Sequence, residues 1–180
     1  RASQNMKTNL LIAVILLTSI FAKAQTKKEI LIEINNFKLK TILNTSFDVP
    51  RQKIWDAVYI MMKQEYTEIK KQDFDKGIIE GYAEAENFKE GFTSEIVGSG
   101  PYRVVFSMKR QIRYINNNGV YSGWYDRNEI SNEYLYKIQK TIYEAVYGPL
   151  EIPDSLQKKV DEYNLKQKKD KNKILLGRDY

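Results

Sequence analysis

YRVVFSMKRQIRYINNNGVYSGWY, residues 102–125, is the stretch from which the fold is read. Tyr102, Val104, Phe106, Met108, Ile112 and Tyr114 alternate with Arg103, Ser107, Lys109, Gln111 and Arg113. Successive side chains of a strand point to opposite faces, so this alternation predicts a long strand with one buried side. Asn118-Gly119 suits the two positive-φ positions of a type I′ turn, and Val120, Tyr121, Trp124 and Tyr125 then form a returning strand. An apolar hairpin face of this length needs cover. An amphipathic helix stands on each side of the hairpin in the sequence.

The first of these helices opens at Asp48-Val49-Pro50, with Pro50 suited to the first turn and Asp48 to capping free backbone donors. Ile54, Trp55, Val58, Met61, Met62 and Tyr66 recur at helical spacing and make its apolar stripe. The second starts after Ser131, a suitable N-cap, and carries Tyr134, Leu135, Ile138, Ile142, Ala145 and Val146. Gly148-Pro149 ends it, because glycine takes the left-handed cap and proline cannot continue a helix. Between them come a short charged edge strand over 67–71, a turn at Asp73–Gly77 and a strand over 78–85. A turn over 88–91 and a strand to Val97 complete the run before the hairpin. Residues 25–39 read either as a short helix opening at Thr26-Lys27-Lys28-Glu29 or as a strand, and a strand is expected over 40–47. Pro153-Asp154 restarts a weaker helical pattern through Leu156, Val160 and Tyr163, which dissolves into a lysine-rich, fraying tail.

Strands bracketed by helices predict an α+β domain over residues 40–150: an antiparallel β-sheet with two main helices packed on one face. Residues 151–180 form a basic helical tail, and residues 25–39 an N-terminal segment. Met6-Lys7 followed by the apolar run Leu10–Phe21 and Ala22-Lys23-Ala24 has the layout of a signal peptide, with residues 1–5 as an upstream extension. Cleavage after Ala24 and a periplasmic or secreted destination are expected. The run is shorter than the ~20 residues a membrane span needs, so no stable span is expected after cleavage.

Phe47-Asp48-Val49-Pro50, Ile54-Trp55 and Asp75-Lys76-Gly77-Ile78-Ile79-Glu80-Gly81, in that order, resemble a family of exported bacterial domains of unknown function with a TATA-binding-protein-like (TBP-like) fold. The likeness covers about residues 40–148 and brings no catalytic residue with it. The element order is also similar to the helix-grip fold of birch-pollen-allergen and lipid-transfer-like domains. That fold needs a long C-terminal helix closing over a cavity, and Gly148-Pro149 stands where such a helix would run.

Composition narrows the chemistry. The 180-residue chain has a net charge of +6, but residues 25–150 carry 18 basic against 17 acidic side chains. A near-neutral domain does not offer the basic face that nucleic acid requires, so no nucleic-acid partner is expected. There are no cysteines and no histidines. Disulfides, thiolate nucleophiles and the commonest general base and metal ligand are thereby excluded. No cofactor and no metal site is expected.

Asp73, Asp75 and Glu84 match three positions of a calcium loop, but Ile78 stands where its glycine belongs, so a plain turn is expected. Glu80, Glu84 and Glu86 share one strand face and would serve as acid and base only inside a cleft. Gly98-Ser99-Gly100 lacks the Gly-Lys-Ser/Thr of a phosphate loop and reads as a turn. The binding candidates come from hairpin register. With Asn118-Gly119 at the tip, Arg113 faces Trp124 and Gln111 faces Asp126. Arg103, Lys109, Arg113 and Trp124 then lie on the side opposite Val104, Phe106 and Met108, with a guanidinium over an indole. A turn shifted by one residue sends Trp124 into the core instead. The expectation is a non-enzymatic domain binding a protein or cell-envelope partner through its open sheet face. The alternatives are a carrier of a small apolar ligand, with a cavity lined by Trp55, Met62, Phe106 and Tyr134, and a carboxylate-based glycan hydrolase using Glu80 or Glu84.

Overall fold

The computed structural model describes residues 26–176, so the leader-like run and the predicted cleavage point lie outside the described residues. The elements are α1 (Lys27–Leu43), α2 (Arg51–Glu65), β1 (Glu68–Asp73), β2 (Ile78–Ala85), β3 (Phe88–Val97), β4 (Arg103–Ile112), β5 (Tyr125–Asp126), α3 (Asn132–Tyr147) and α4 (Asp154–Leu176). No helix among the described residues is long and apolar enough to cross a membrane.

Two compact units divide the chain. Residues 26–35 and 152–176 belong to one. Here Thr26 and Glu29 form a reciprocal capping box: Thr26 N–H donates to Glu29 Oε2 at 2.7 Å and Glu29 N–H to Thr26 Oγ1 at 3.3 Å. Lys159 Nζ donates to Glu33 Oε2 at 2.5 Å. The tail expected to fray is instead helical through Leu176. Leu156, Val160 and Tyr163 are half-buried along it, so the stripe is real, and Lys166, Lys168 and Lys169 are exposed.

Asn36–Glu151 forms the second unit, an α+β domain around one antiparallel sheet in the order β1-β2-β3-β4-β5. Alternation places Ile79, Gly81, Phe92, Ser94, Ile96, Val104, Phe106 and Met108 on one side. Ile54, Val58, Met61 and Met62 of α2 and Ile138, Ile142 and Val146 of α3 join that side in a single buried cluster. Both helices therefore cover the same face, as the alternation requires. Gly81 is what lets α2 lie so low. A methyl group there would stand 2.7 Å from Tyr66 Cγ and 2.8 Å from Met62 Cε.

Several expectations fail for identifiable reasons. The strand over 40–47 is the last turn of α1 and a short loop, because the capping box commits Ile30–Leu39 to a helix that runs on to Leu43. Only Phe47 pairs, exchanging bonds with Tyr102 at 2.7 and 2.9 Å. Asp48 does not cap α2; its N–H is taken by Tyr147 Oη at 3.1 Å, and Pro50 occupies the cap position with no side-chain bond. The turn expected over 88–91 is the two-residue Glu86-Asn87, so β3 begins at Phe88 opposite Ala85. Ala145 is exposed, since Ile138, Ile142 and Val146 already complete the buried stripe. Ser131 does cap α3, accepting from Tyr134 N–H at 3.2 Å, and Gly148 ends it at φ 87°.

The hairpin departs most. Asn118 keeps a negative φ, and Gly119 alone is positive at 75°. The tip is a three-residue loop: Gly119 N–H donates to Asn116 C=O at 3.0 Å, and Asn116 N–H to Val120 C=O at 2.9 Å. Asn116 Oδ1 accepts from the N–H groups of Asn118 and Val120 at 3.0 and 2.9 Å, which explains the choice. Ile115 then faces Tyr121, one residue out of the expected register. An extra residue near Gly123 restores it, so that Gln111 does face Asp126.

Gly81→Ala is expected to cost about 1–3 kcal/mol in urea unfolding, through overpacking against Met62 and Tyr66. Gly91→Ala, whose new methyl would meet nothing nearer than 4.0 Å, should stay within about 0.5 kcal/mol of the parent.

Candidate functional site

The four residues singled out from the hairpin share the uncovered side of the sheet but do not form one patch. Arg113 and Trp124 touch: the guanidinium carbon lies 4.7 Å from the indole centroid and 4.1 Å from that of Tyr121. Lys89 adds a second cation, 5.3 Å from the Trp124 ring. Trp124 is therefore at the surface, 37% exposed. Lys109 stands opposite Gly91, and Arg103 at the far end of β4 opposite Val97. Ten residues of strand, about 33 Å, separate Arg103 from Arg113.

Arg113 also has a local duty. Its Nε donates to Glu86 C=O at 2.7 Å and its N–H to Asn87 C=O at 2.9 Å, so it clamps the turn into β3. Beyond the clamp the hairpin projects as an arm. Tyr114, Ile115, Val120 and Tyr125 are each 55–58% exposed along it. Beside the arm, bare Gly91 leaves a hollow of about 480 Å³ bordered by Tyr82, Lys89, Lys109, Gln111 and Asp126.

The carboxylates considered for hydrolysis are on this open side. Glu80 pairs with Lys71 at 3.7 Å. Glu84 accepts from Tyr82 Oη at 2.5 Å and pairs with Lys89 at 3.0 Å. The tyrosine hydroxyl, and after it the lysine, hold the Glu84 carboxyl below the usual carboxylate range, where a general acid would need it raised. The Tyr82 hydroxyl is pushed up by the same bond. Asp73 caps its own turn by accepting from Lys76 N–H at 3.1 Å, with Glu84 elsewhere. Among the described residues no three acidic side chains gather as for a metal ion.

A polar cluster that the sequence reading passed over lies on the covered side. Glu90 is 5% exposed and directly opposite Arg110, whose Nε donates to Glu90 Oε2 at 2.5 Å. Tyr66 Oη donates to Glu90 Oε1 at 2.9 Å and lies 2.9 Å from Tyr134 Oη. With the Tyr66 proton committed to Glu90, Tyr134 is the donor of the second bond. Burial raises both phenol pKa values, chiefly by desolvating the charged form. The cluster borders a cleft of about 580 Å³ that also touches Arg127 and Glu129. Both Glu90 oxygens are engaged, so the cluster acts as a satisfied seal on the end of the core. Its signal was available: Glu90 and Arg110 are the charged residues at inward-facing positions of neighbouring strands.

The four residues proposed to line an apolar cavity do not converge on one. Trp55 and Met62 are packed in the core, whereas Tyr134 borders the 580 Å³ cleft and Phe106 a separate groove. Comparison of the chain with protein-family models, with curated proteins and with solved structures returns no match.

Glu90→Gln should lower stability by about 1.5–3 kcal/mol, the range for a hydrogen bond to a charged group, read by urea unfolding at neutral pH. The tyrosines carry a pH signature. A phenol pKa raised in the folded state leaves stability intact below the ordinary tyrosine value and erodes it as pH rises past about 10. Stability measured across that range should fall less steeply in Tyr66→Phe than in the parent.

Proposed function

We propose that this chain is an exported, non-catalytic binding domain that engages a polypeptide partner through the uncovered side of its sheet and the hairpin arm beside it. One observation carries the reading. Tyr114, Ile115, Val120 and Tyr125 are all more than half exposed on a single projecting arm. Apolar and aromatic side chains left in water along one short segment cost free energy and are typical of surfaces that another molecule covers. The arm is also held in place, with Arg113 stacked on Tyr121 and Trp124 and bonded to Glu86, so little order would be lost on binding. Rigid tyrosines and a tryptophan beside cations are the residue types that dominate protein interfaces. The engaged oxygens of Glu90 and the lowered carboxyl of Glu84 support a binding role over a catalytic one. The leader-like run over 10–21 supports export, which puts the partner at the cell envelope.

A photo-crosslinking residue placed at Val105, Val120 or Tyr125 in the producing cells tests this. Each should yield a discrete adduct that excess unmodified chain displaces, and Ile60, exposed on α2, should yield none. No adduct from any of the three positions, or equal labelling at Ile60, would overturn the reading.

A further inference from the structure

A sheet has two edges, and this one treats them differently. The β1 edge is short, is bulged between Ile69 and Lys71, and carries Glu68, Lys70 and Lys71. These features discourage pairing with another chain. The middle of β4 has none of them. β5 covers only Gln111 and Ile112. Next to it Arg127 N–H donates to Arg110 C=O at 2.7 Å, and Arg110 N–H to Asn128 Oδ1 at 3.0 Å. At the other end Tyr102 is paired with Phe47. Between these two closures, no strand of the described residues pairs with the outer edge of residues 103–109.

Tyr102 and Arg110 fix which backbone groups face that edge. Bonding direction alternates along an antiparallel strand, so Val104, Phe106 and Met108 also turn their N–H and C=O away from β3. Among the described residues no other element bonds to them. A groove of about 400 Å³ runs beside Val104 and Phe106, bordered by Leu43, Thr45, Leu135 and Gln139. Gln139 Oε1 is buried with no hydrogen-bond partner among the described residues, which is costly unless a donor arrives. On the other side of the sheet, Arg103 and Lys109 mark the two ends of the gap. Neither is among the ion pairs formed by the described residues.

We infer that the open edge of β4 from Val104 to Met108 is where an extended segment of the partner adds to the sheet as an antiparallel strand, apolar at alternate positions and acidic at its ends. The inference rests on the polypeptide-binding reading above and names its site and chemistry. Tyr102 to Arg110 spans about 26 Å, room for roughly five to seven residues. Residues facing Val104, Phe106 and Met108 share their side of the sheet; those opposite Val104 and Phe106 enter the groove, and the one opposite Met108 lies toward the cleft beside Glu90. Residues facing Arg103 and Lys109 lie on the wet side, where carboxylates answer two cations that form no ion pair among the described residues. Main-chain bonds would hold the segment, and the alternate side chains would select it. A second copy of this chain fits badly. Two-fold pairing centred on Phe106 sets Arg103 opposite Lys109 twice, and like charges directly across a ladder repel.

The probe is the peptide acetyl-Glu-Leu-Thr-Leu-Val-Leu-Glu-amide, titrated into the full chain while backbone amide exchange is followed. Exchange at Val104, Phe106 and Met108 should slow by about tenfold or more, while Val105, Ser107 and Lys109, already bonded to β3, change little. Methylating the three leucine nitrogens should abolish the protection, and methylating those of threonine and valine should not. Phe106→Pro removes an edge-facing donor and no bond to β3, so it should abolish both the protection and the Val105 adduct; circular dichroism checks its fold. Unchanged exchange at the three amides of the unmodified chain would overturn the inference without recourse to the variant. So would an undiminished Val105 adduct in a folded Phe106→Pro chain, which would leave the binding reading standing. Absence of adducts at every position of the unmodified chain sinks the reading itself. Protection already present in the chain alone, or rising with its concentration, assigns the edge to this chain or a second copy and overturns the acidic partner.

Discussion

The Asn36–Glu151 unit depends on how closely helix α2 approaches strand β2. The sheet buries one face, and α2 covers it by setting Met62 and the Tyr66 ring directly on the backbone at Gly81. Phe92 lies opposite Gly81 on the next strand and meets Tyr66 at 5.3 Å between ring centroids, Phe106 at 5.6 Å and Tyr134 at 5.9 Å. One missing side chain thus seats an aromatic cluster that joins both helices to three strands. Close packing of this kind fills the space over Gly81, and the room that remains on the covered side lies at its margins, in the cleft beside Glu90 and the groove beside β4.

Side-chain periodicity made the two helices and most of the sheet legible. Ile54 to Met62 and Ile138 to Val146 repeat at a helical period, and Ile78–Ala85 matches its strand to the residue. The capping pair Thr26 and Glu29 could equally have decided α1, but alternating isoleucines left a strand open. Turn chemistry was harder to read. Asn-Gly favours a mirror-image turn in general, yet Asn116 offers its side chain to two backbone donors and holds a longer loop. The tip shifted by one residue, and only the bulge near Gly123 returned Gln111 to Asp126.

The candidate site was legible in part, for the same reason. Arg113 and Trp124 meet because they lie near the restored register, whereas Arg103 shares their side but stands a strand length away. Parity says which face a residue takes and nothing about its neighbours along the strand. Glu90 was missed because a turn was expected where β3 begins. Once Phe88 heads that strand, Glu90 falls on the covered side with Arg110 facing it. A charge at an inward position with its opposite directly across the ladder is a pattern that sequence alone can show, provided the strand ends are known.

The chain holds just two tryptophans, and the fold gives them opposite surroundings. Trp55 is packed in the core, edge-on to Phe74 at 5.2 Å, while Trp124 lies at the base of the arm beneath Arg113 and Lys89. Intrinsic emission should therefore combine a blue component from the interior with a redder one from the surface. An event confined to the arm is expected to change the second more than the first, which gives the molecule an optical gauge that needs no attached dye.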